Sequence, residues 1–232
     1  MNDSAANASE VPVLAVDGPA GTGKSTVARL VATHLGLEYL DTGAMYRAVT
    51  FAVLACGCDL TDTEAVAAAA TDADIVIGPD SLDVDGVSVT VDGVDATAAI
   101  RGAEVTAAVS MVSAHPVVRG LLQARQRAWA TDIGPAVLEG RDIGTAVFPN
   151  ARLKVYLDAR PEVRAARRAA QSGNDPAAEL EKLVERDRVD STRADSPLAT
   201  AENALVIDTS ELAIDEVVEA VADAWREAGH ER

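Results

Sequence analysis

The residues Gly18-Pro19-Ala20-Gly21-Thr22-Gly23-Lys24-Ser25 fit the pattern of a glycine, four residues, then Gly-Lys-Ser. That pattern suits one task, the wrapping of phosphate groups. Glycines let successive backbone N–H groups converge on phosphate oxygens, the lysine reaches the terminal phosphates, and the hydroxyl that follows can ligate Mg²⁺. The stretch from Gly18 to Thr26 is therefore expected to bind a nucleoside triphosphate, with Lys24 at the terminal phosphates and Ser25 a metal ligand. Chance gives only roughly 0.002 matches in a chain of this composition. The motif leaves the acceptor open. A guanine-reading Asn/Thr-Lys-x-Asp is absent, since Lys154 precedes Val-Tyr and Lys182 precedes Leu-Val.

Arginines supply the second set of candidates. The chain has 17 Arg against three Lys, and guanidinium is the group for bidentate contact with phosphate. Arg164, Arg167 and Arg168 share one helix face by spacing, as do Arg186, Asp190 and Arg193. Between the two sets lies the turn cluster QSGNDP (171–176). Two arginine-bearing helices joined by a flexible turn suit a lid that closes over phosphates. The alternative for the first trio is ion pairing with Glu179, Glu181 and Glu185. Arg47 follows Asp41-Thr-Gly-Ala-Met-Tyr46, at the carboxyl end of the second strand, and Arg141 lies just after PAVLE (135–139). Ligands of open α/β sheets bind at the carboxyl ends of strands, so Lys24, Arg47 and Arg141 are expected at one edge. That is more positive charge than one triphosphate needs, and it points to a second phosphorylated substrate.

The elements that must position these groups follow from hydrophobic patterning. Val11–Asp17, Leu37–Leu40, Pro135–Glu139, Leu153–Asp158 and Ala204–Asp208 are short apolar runs alternating with helical periodicity, as over Lys24–Leu35 and Ala44–Leu54. The class is α/β, a parallel sheet with helices on both faces. Asp72–Ile100 breaks the rhythm with period-2 alternation and the turn pairs Asp85-Gly86 and Asp92-Gly93, which predict a small antiparallel insert. Its seven Asp and no base read as a solvated accessory lobe.

Composition sets outer limits. The chain has 232 residues, 48% hydrophobic and 25% charged, enough for a substantial core. A formal charge of −17 repels nucleic acid and anionic lipid. No apolar run approaches the roughly 20 residues that span a bilayer. Residues 1–10 read as a disordered tail rather than an export signal, and a cytoplasmic location is expected. With only Cys56 and Cys58, disulfides are not expected.

The segments VDGPAGTGKST (16–26), LDTGAMYR (40–47), SMVSAHPVVR (110–119), EGRDIGTAVFP (139–149) and ERDRVDSTR (185–193), in this order, resemble the bacterial cytidylate kinases among the nucleoside-monophosphate kinases. The resemblance covers essentially everything after the tail. It implies a single phosphate-loop kinase domain over 11–232: a core (11–40, 133–160, 200–232), a monophosphate-binding lobe (41–132, with the insert at about 72–100) and a lid (161–193). It implies that Thr42, Tyr46, Arg47, Arg141 and Arg193 surround an acceptor monophosphate, Arg186 and Asp190 meet its sugar, and Ser110, Arg119 and Asp142 read its base. Lys24, Arg141, Arg193 and Arg47 become the catalytic set, and Arg164, Arg167 and Arg168 join the ATP site. Glu139 stands where part of the family has Asp, at the acidic strand end near the Mg²⁺. The implied activity is ATP-dependent phosphorylation of CMP and dCMP by a monomer.

Those residue types suit cytosine, whose pairing edge donates from N4 and accepts at N3 and O2. A reader needs acceptors near N4 (Asp142, Ser110) and a donor near N3 and O2 (Arg119). A monophosphate has its second pKa near about 6, so its nucleophilic oxygen is already ionised at neutral pH and no general base is required. Two alternatives stay open at this stage: a kinase of another small acceptor, and a non-enzymatic ATP-dependent switch.

Overall fold

The computed structural model describes residues 11–79 and 87–229. The tail expected at 1–10 and the expected turn pair Asp85-Gly86 lie outside them. The described residues of Met1–Leu40 and Arg127–Arg232 form one compact unit, and Asp41–Gln126 forms a second.

The first unit is built on β1 (Val13–Asp17), β2 (Glu38–Asp41), β6 (Ala136–Glu139), β7 (Leu153–Asp158) and β8 (Leu205–Asp208), in the order β2-β6-β1-β7-β8. β1 pairs in parallel with both β6 and β7, and β7 pairs in parallel with β8. Every residue of β1 and β6 is buried, as strands covered on both faces require. The helices here are α1 (Lys24–Leu35), α6 (Pro161–Ser172), α7 (Pro176–Thr192) and α8 (Ile214–Ala228). Val27, Ala28 and Val31 of α1, with Val217, Val221 and Trp225 of α8, pack against Leu14, Val16, Val155 and Leu157 of the sheet. Gly36 ends α1 in the left-handed conformation (φ 64°), the stop its sequence position predicts.

The second unit holds α2 (Thr42–Ala55), α3 (Thr63–Asp72), α4 (Ala103–Val112) and most of α5 (Pro116–Ile133). It also holds the predicted insert, an antiparallel sheet β3-β4-β5 of Ile75–Pro79, Val87–Val91 and Val94–Asp95. Asp92 (φ 50°) and Gly93 (φ 77°) make its β4–β5 turn, with both central residues left-handed as a tight hairpin demands.

Cys56 and Cys58 flank Gly57, whose φ of 69° turns the chain back at the end of α2 and leaves their Cα atoms 5.4 Å apart. Among the described residues no single helix is long and apolar enough to cross a membrane.

Candidate active site

The phosphate loop runs from the carboxyl end of β1 to the amino end of α1. A side chain at Gly18 (φ 144°) would collide with the carbonyl oxygen of Leu157 on the neighbouring strand, so only glycine fits. Three loop carbonyls are held from the protein side. Pro19 O accepts from Thr22 Oγ1 (3.1 Å) and Lys24 Nζ (2.6 Å), Ala20 O from Arg164 Nη1 (3.1 Å), and Thr22 O from Thr209 Oγ1 (3.1 Å). The two ends of a trans peptide point opposite ways, so fixing the carbonyls turns the partner N–H groups outward, the polarity an anion requires. Ser25 is exposed at the start of α1.

Lys24 is 5% exposed. Burial, and then the nearby guanidinium of Arg141, hold its ammonium well below the usual lysine range, and Arg186 adds to this; Glu139 and Asp17 oppose them. A cation under that pressure gains most when an anion arrives. Glu139, 4% exposed at the end of β6, accepts a hydrogen bond from Tyr39 Oη at 2.9 Å.

Asp190 is the hub of the arginine cluster. This buried carboxylate on α7 lies 3.2 Å from Arg141 Nε, 3.6 Å from Arg193 Nη1 and 4.0 Å from Arg186 Nε. Three of these four residues come from the ERDRVDSTR segment and the fourth from the loop after β6. Together they carry three positive charges to one negative, and Arg141 and Arg186 also act on Lys24. Asp142 is buried and opens a π-helical turn, Ile143–Val147, where Phe148 N donates to Ile143 O at 2.7 Å. Such turns recur at functional sites. Arg127 stabilises this one, donating to Ala146 O (2.8 Å) and Val147 O (2.9 Å).

Arg164, Arg167 and Arg168 are engaged by the protein itself. Arg164 is buried and bonds Ala159 O, Ala20 O and Asp187. Arg167 donates to Thr209 Oγ1 (3.0 Å) and Thr209 O (2.6 Å), and Arg168 lies 3.6 Å from Glu179.

Thr42, Tyr46, Arg47, Ser110 and Arg119 belong to the second unit. Thr42 is buried at the start of α2. Arg47 Nη1 donates to Ile100 O (3.1 Å) and Thr106 Oγ1 (2.9 Å). Arg119, 1% exposed, lies 5.5 Å from the Tyr46 ring centroid and donates to Ser113 O, while the Ser113 hydroxyl donates to Ser110 O at 3.1 Å.

Two residues were not singled out from the sequence. Asp17 accepts from Ile143 N (2.9 Å) and Gly144 N (2.7 Å), pinning the loop that carries Arg141 and Asp142 to the end of β1. Burial raises its pKa to about 6. An acid closing an otherwise apolar strand was the available signal. Thr209 ties the phosphate loop to Asp158 O and Arg167. Its contacts are 42, 51 and 187 residues away in sequence, and no local pattern announces them.

A loop that offers N–H groups to an anion, with its lysine beside a guanidinium cluster on a parallel sheet, places the chain among the phosphate-loop kinases. The cytidylate kinase family model matches residues 14–227, and the chain belongs to that family. It is 51% identical over 211 residues to a cytidylate kinase of Rhodococcus opacus (strain B4), covering 89% of this chain and 91% of that one. It is 47% identical over 219 residues to a cytidylate kinase of Geobacillus kaustophilus (strain HTA426), covering 92% and 96%. The crystal structure of an uncharacterized protein from Eubacterium ventriosum shares the fold at TM-score 0.51 and 10% identity, covering 94% of this chain and 99% of that one.

Proposed function

We propose that this chain transfers the terminal phosphoryl group of ATP to CMP, and to dCMP as a second acceptor, giving ADP and the pyrimidine diphosphate. The observation that carries this reading is the cluster of Arg141, Arg186 and Arg193 on Asp190, near Lys24. One phosphate chain on the loop leaves that cluster for a second anion, and family membership supports a cytidine monophosphate in that role.

In this reading the loop N–H groups and Lys24 hold the β- and γ-phosphates. Arg141, Arg193 and Arg47 neutralise the acceptor phosphate, whose oxygen attacks the γ-phosphorus as the β–γ bridging bond breaks. Arg186 and Asp190 take the sugar, and Ser110, Arg119 and Asp142 read the base. Arg164, Arg167 and Arg168 serve the donor, the first two through the carbonyls and the threonine that hold the loop. Ser25 and Glu139 are hard oxygen donors of the kind Mg²⁺ takes alongside water and phosphate, and they would hold it. Bound there, Mg²⁺ neutralises charge on the phosphates. The protein works as a monomer in the cytoplasm.

Release of ADP, followed with CMP, dCMP, UMP, AMP and shikimate side by side, tests this. CMP should be the preferred acceptor, with dCMP next. Preference for any of the other three would assign the chain a different substrate, and ATP binding without acceptor-dependent ADP release would make it a switch.

A further inference from the structure

Gln126 on α5 is 1% exposed, and neither its Oε1 nor its Nε2 has a hydrogen-bond partner among the described residues. Buried side-chain amides are nearly always paired, because taking them out of water without replacing the lost bonds is unfavourable. Leu122, one turn earlier, is fully buried, and a leucine at 126 would fill the same space without that penalty. An amide kept in such a place fits a partner that comes and goes.

The helix indicates which partner. Arg119 lies seven residues before Gln126, two turns back on the same face. Helical side chains lean toward the amino end, which tilts Gln126 toward Arg119. Arg119 and Ser110 are the residues of this unit assigned above to the base; Arg119 stacks near the Tyr46 ring and donates to Ser113 O, and Ser113 in turn donates to Ser110 O.

We propose that Gln126 is a further base-reading residue, its Oε1 accepting from the N4 amino group of cytosine and its Nε2 donating to N3. The proposal rests on reading the chain as a CMP kinase. A primary amide pairs in this two-point way with the adjacent amino group and ring nitrogen of adenine. Turned over, the same amide fits the O4 and N3–H of uracil. Gln126 therefore adds affinity for a pyrimidine edge, and the choice between the two bases is left to Asp142, which only accepts.

The test compares the parent with Gln126→Leu, using CMP and the CMP analogue that lacks the 4-amino group. In the variant, KM for CMP should rise about tenfold, KM for UMP in similar proportion, and KM for ATP should stay within twofold. The penalty for deleting the amino group should be about 3- to 10-fold smaller in the variant than in the parent, the size of one neutral hydrogen bond. The variant's Tm should equal or exceed the parent's, because an unpaired amide has been removed. An unchanged KM for CMP, or the same amino-group penalty in both proteins, overturns the assignment. So does a fall in Tm shared by Gln126→Met, which would mark the amide as structural. Failure of the parent to phosphorylate CMP would instead remove the reading beneath the proposal, so the two failures are told apart.

Discussion

Replacing Asp190 by Asn removes one negative charge from beneath three guanidinium groups while keeping the shape of the side chain. At N···O separations of 3.2, 3.6 and 4.0 Å, each pair attracts by roughly 4–5 kcal/mol at an effective dielectric of about 20. Desolvation offsets much of that gain, and breaking one partner of a buried pair costs about 3–5 kcal/mol. Asn retains a carbonyl acceptor, and Arg141 and Arg186 are partly exposed with 19% and 26% of their side-chain surface accessible, so the loss falls at or just below the lower end of that range. The expected loss is about 2–3 kcal/mol. For a chain of this length that corresponds to a fall in Tm of roughly 4–12 °C. Thermal unfolding reads it directly. Sulfate, a mimic of the substrate phosphate, should restore more stability to Asp190→Asn than it adds to the parent, because an anion then takes the place of the carboxylate. In the variant, KM for CMP should rise at least tenfold. A Tm within 2 °C of the parent, with KM unchanged, would refute the view that Asp190 organises the cluster.

Arg119→Met keeps an apolar stem but removes the donors, and KM for CMP should rise far more than KM for ATP; equal effects in steady-state kinetics would make Arg119 a structural residue. Gly18→Ala forces a methyl group into the Leu157 carbonyl, and calorimetric titration with ATP should show at least a hundredfold weaker binding, whereas near-parental affinity would contradict the loop geometry. Asp17, with a pKa raised from 3.8 to about 6, binds its proton more tightly folded than unfolded. Its contribution to stability is therefore full below about pH 4 and is lost as pH rises through 6, a swing of about 3 kcal/mol. Urea unfolding of parent and Asp17→Asn at pH 4 and pH 7 should show the parent losing ground to the variant by that order, and the opposite sign would contradict the burial argument.

The parallel sheet was legible because its strands are short apolar runs set among helical spacings, and α1 was bounded by its own glycines. The insert was legible from alternation and from Asp92-Gly93. The cluster on Asp190 was partly legible, since Arg186, Asp190 and Arg193 lie on one helix face, but Arg141 reaches it across 49 residues of sequence. The π-helical turn at Ile143–Val147 carries no sequence signature of its own. It forms because Asp142 O accepts from both Ala146 N and Val147 N while Arg127 and Asp17 hold the surrounding backbone. The spacing of Arg164, Arg167 and Arg168 put them on one face, yet their partners, Ala20, Asp187, Thr209 and Glu179, are set by how α6 meets the phosphate loop, the β8 end and α7.

Transfer of label from γ-labelled ATP to CMP in a single turnover, with Mg²⁺ present and the products separated, tests the central claim most directly. The label should appear in CDP in an amount equal to the ADP formed. Label that stays in ATP, or emerges only as inorganic phosphate, would contradict it.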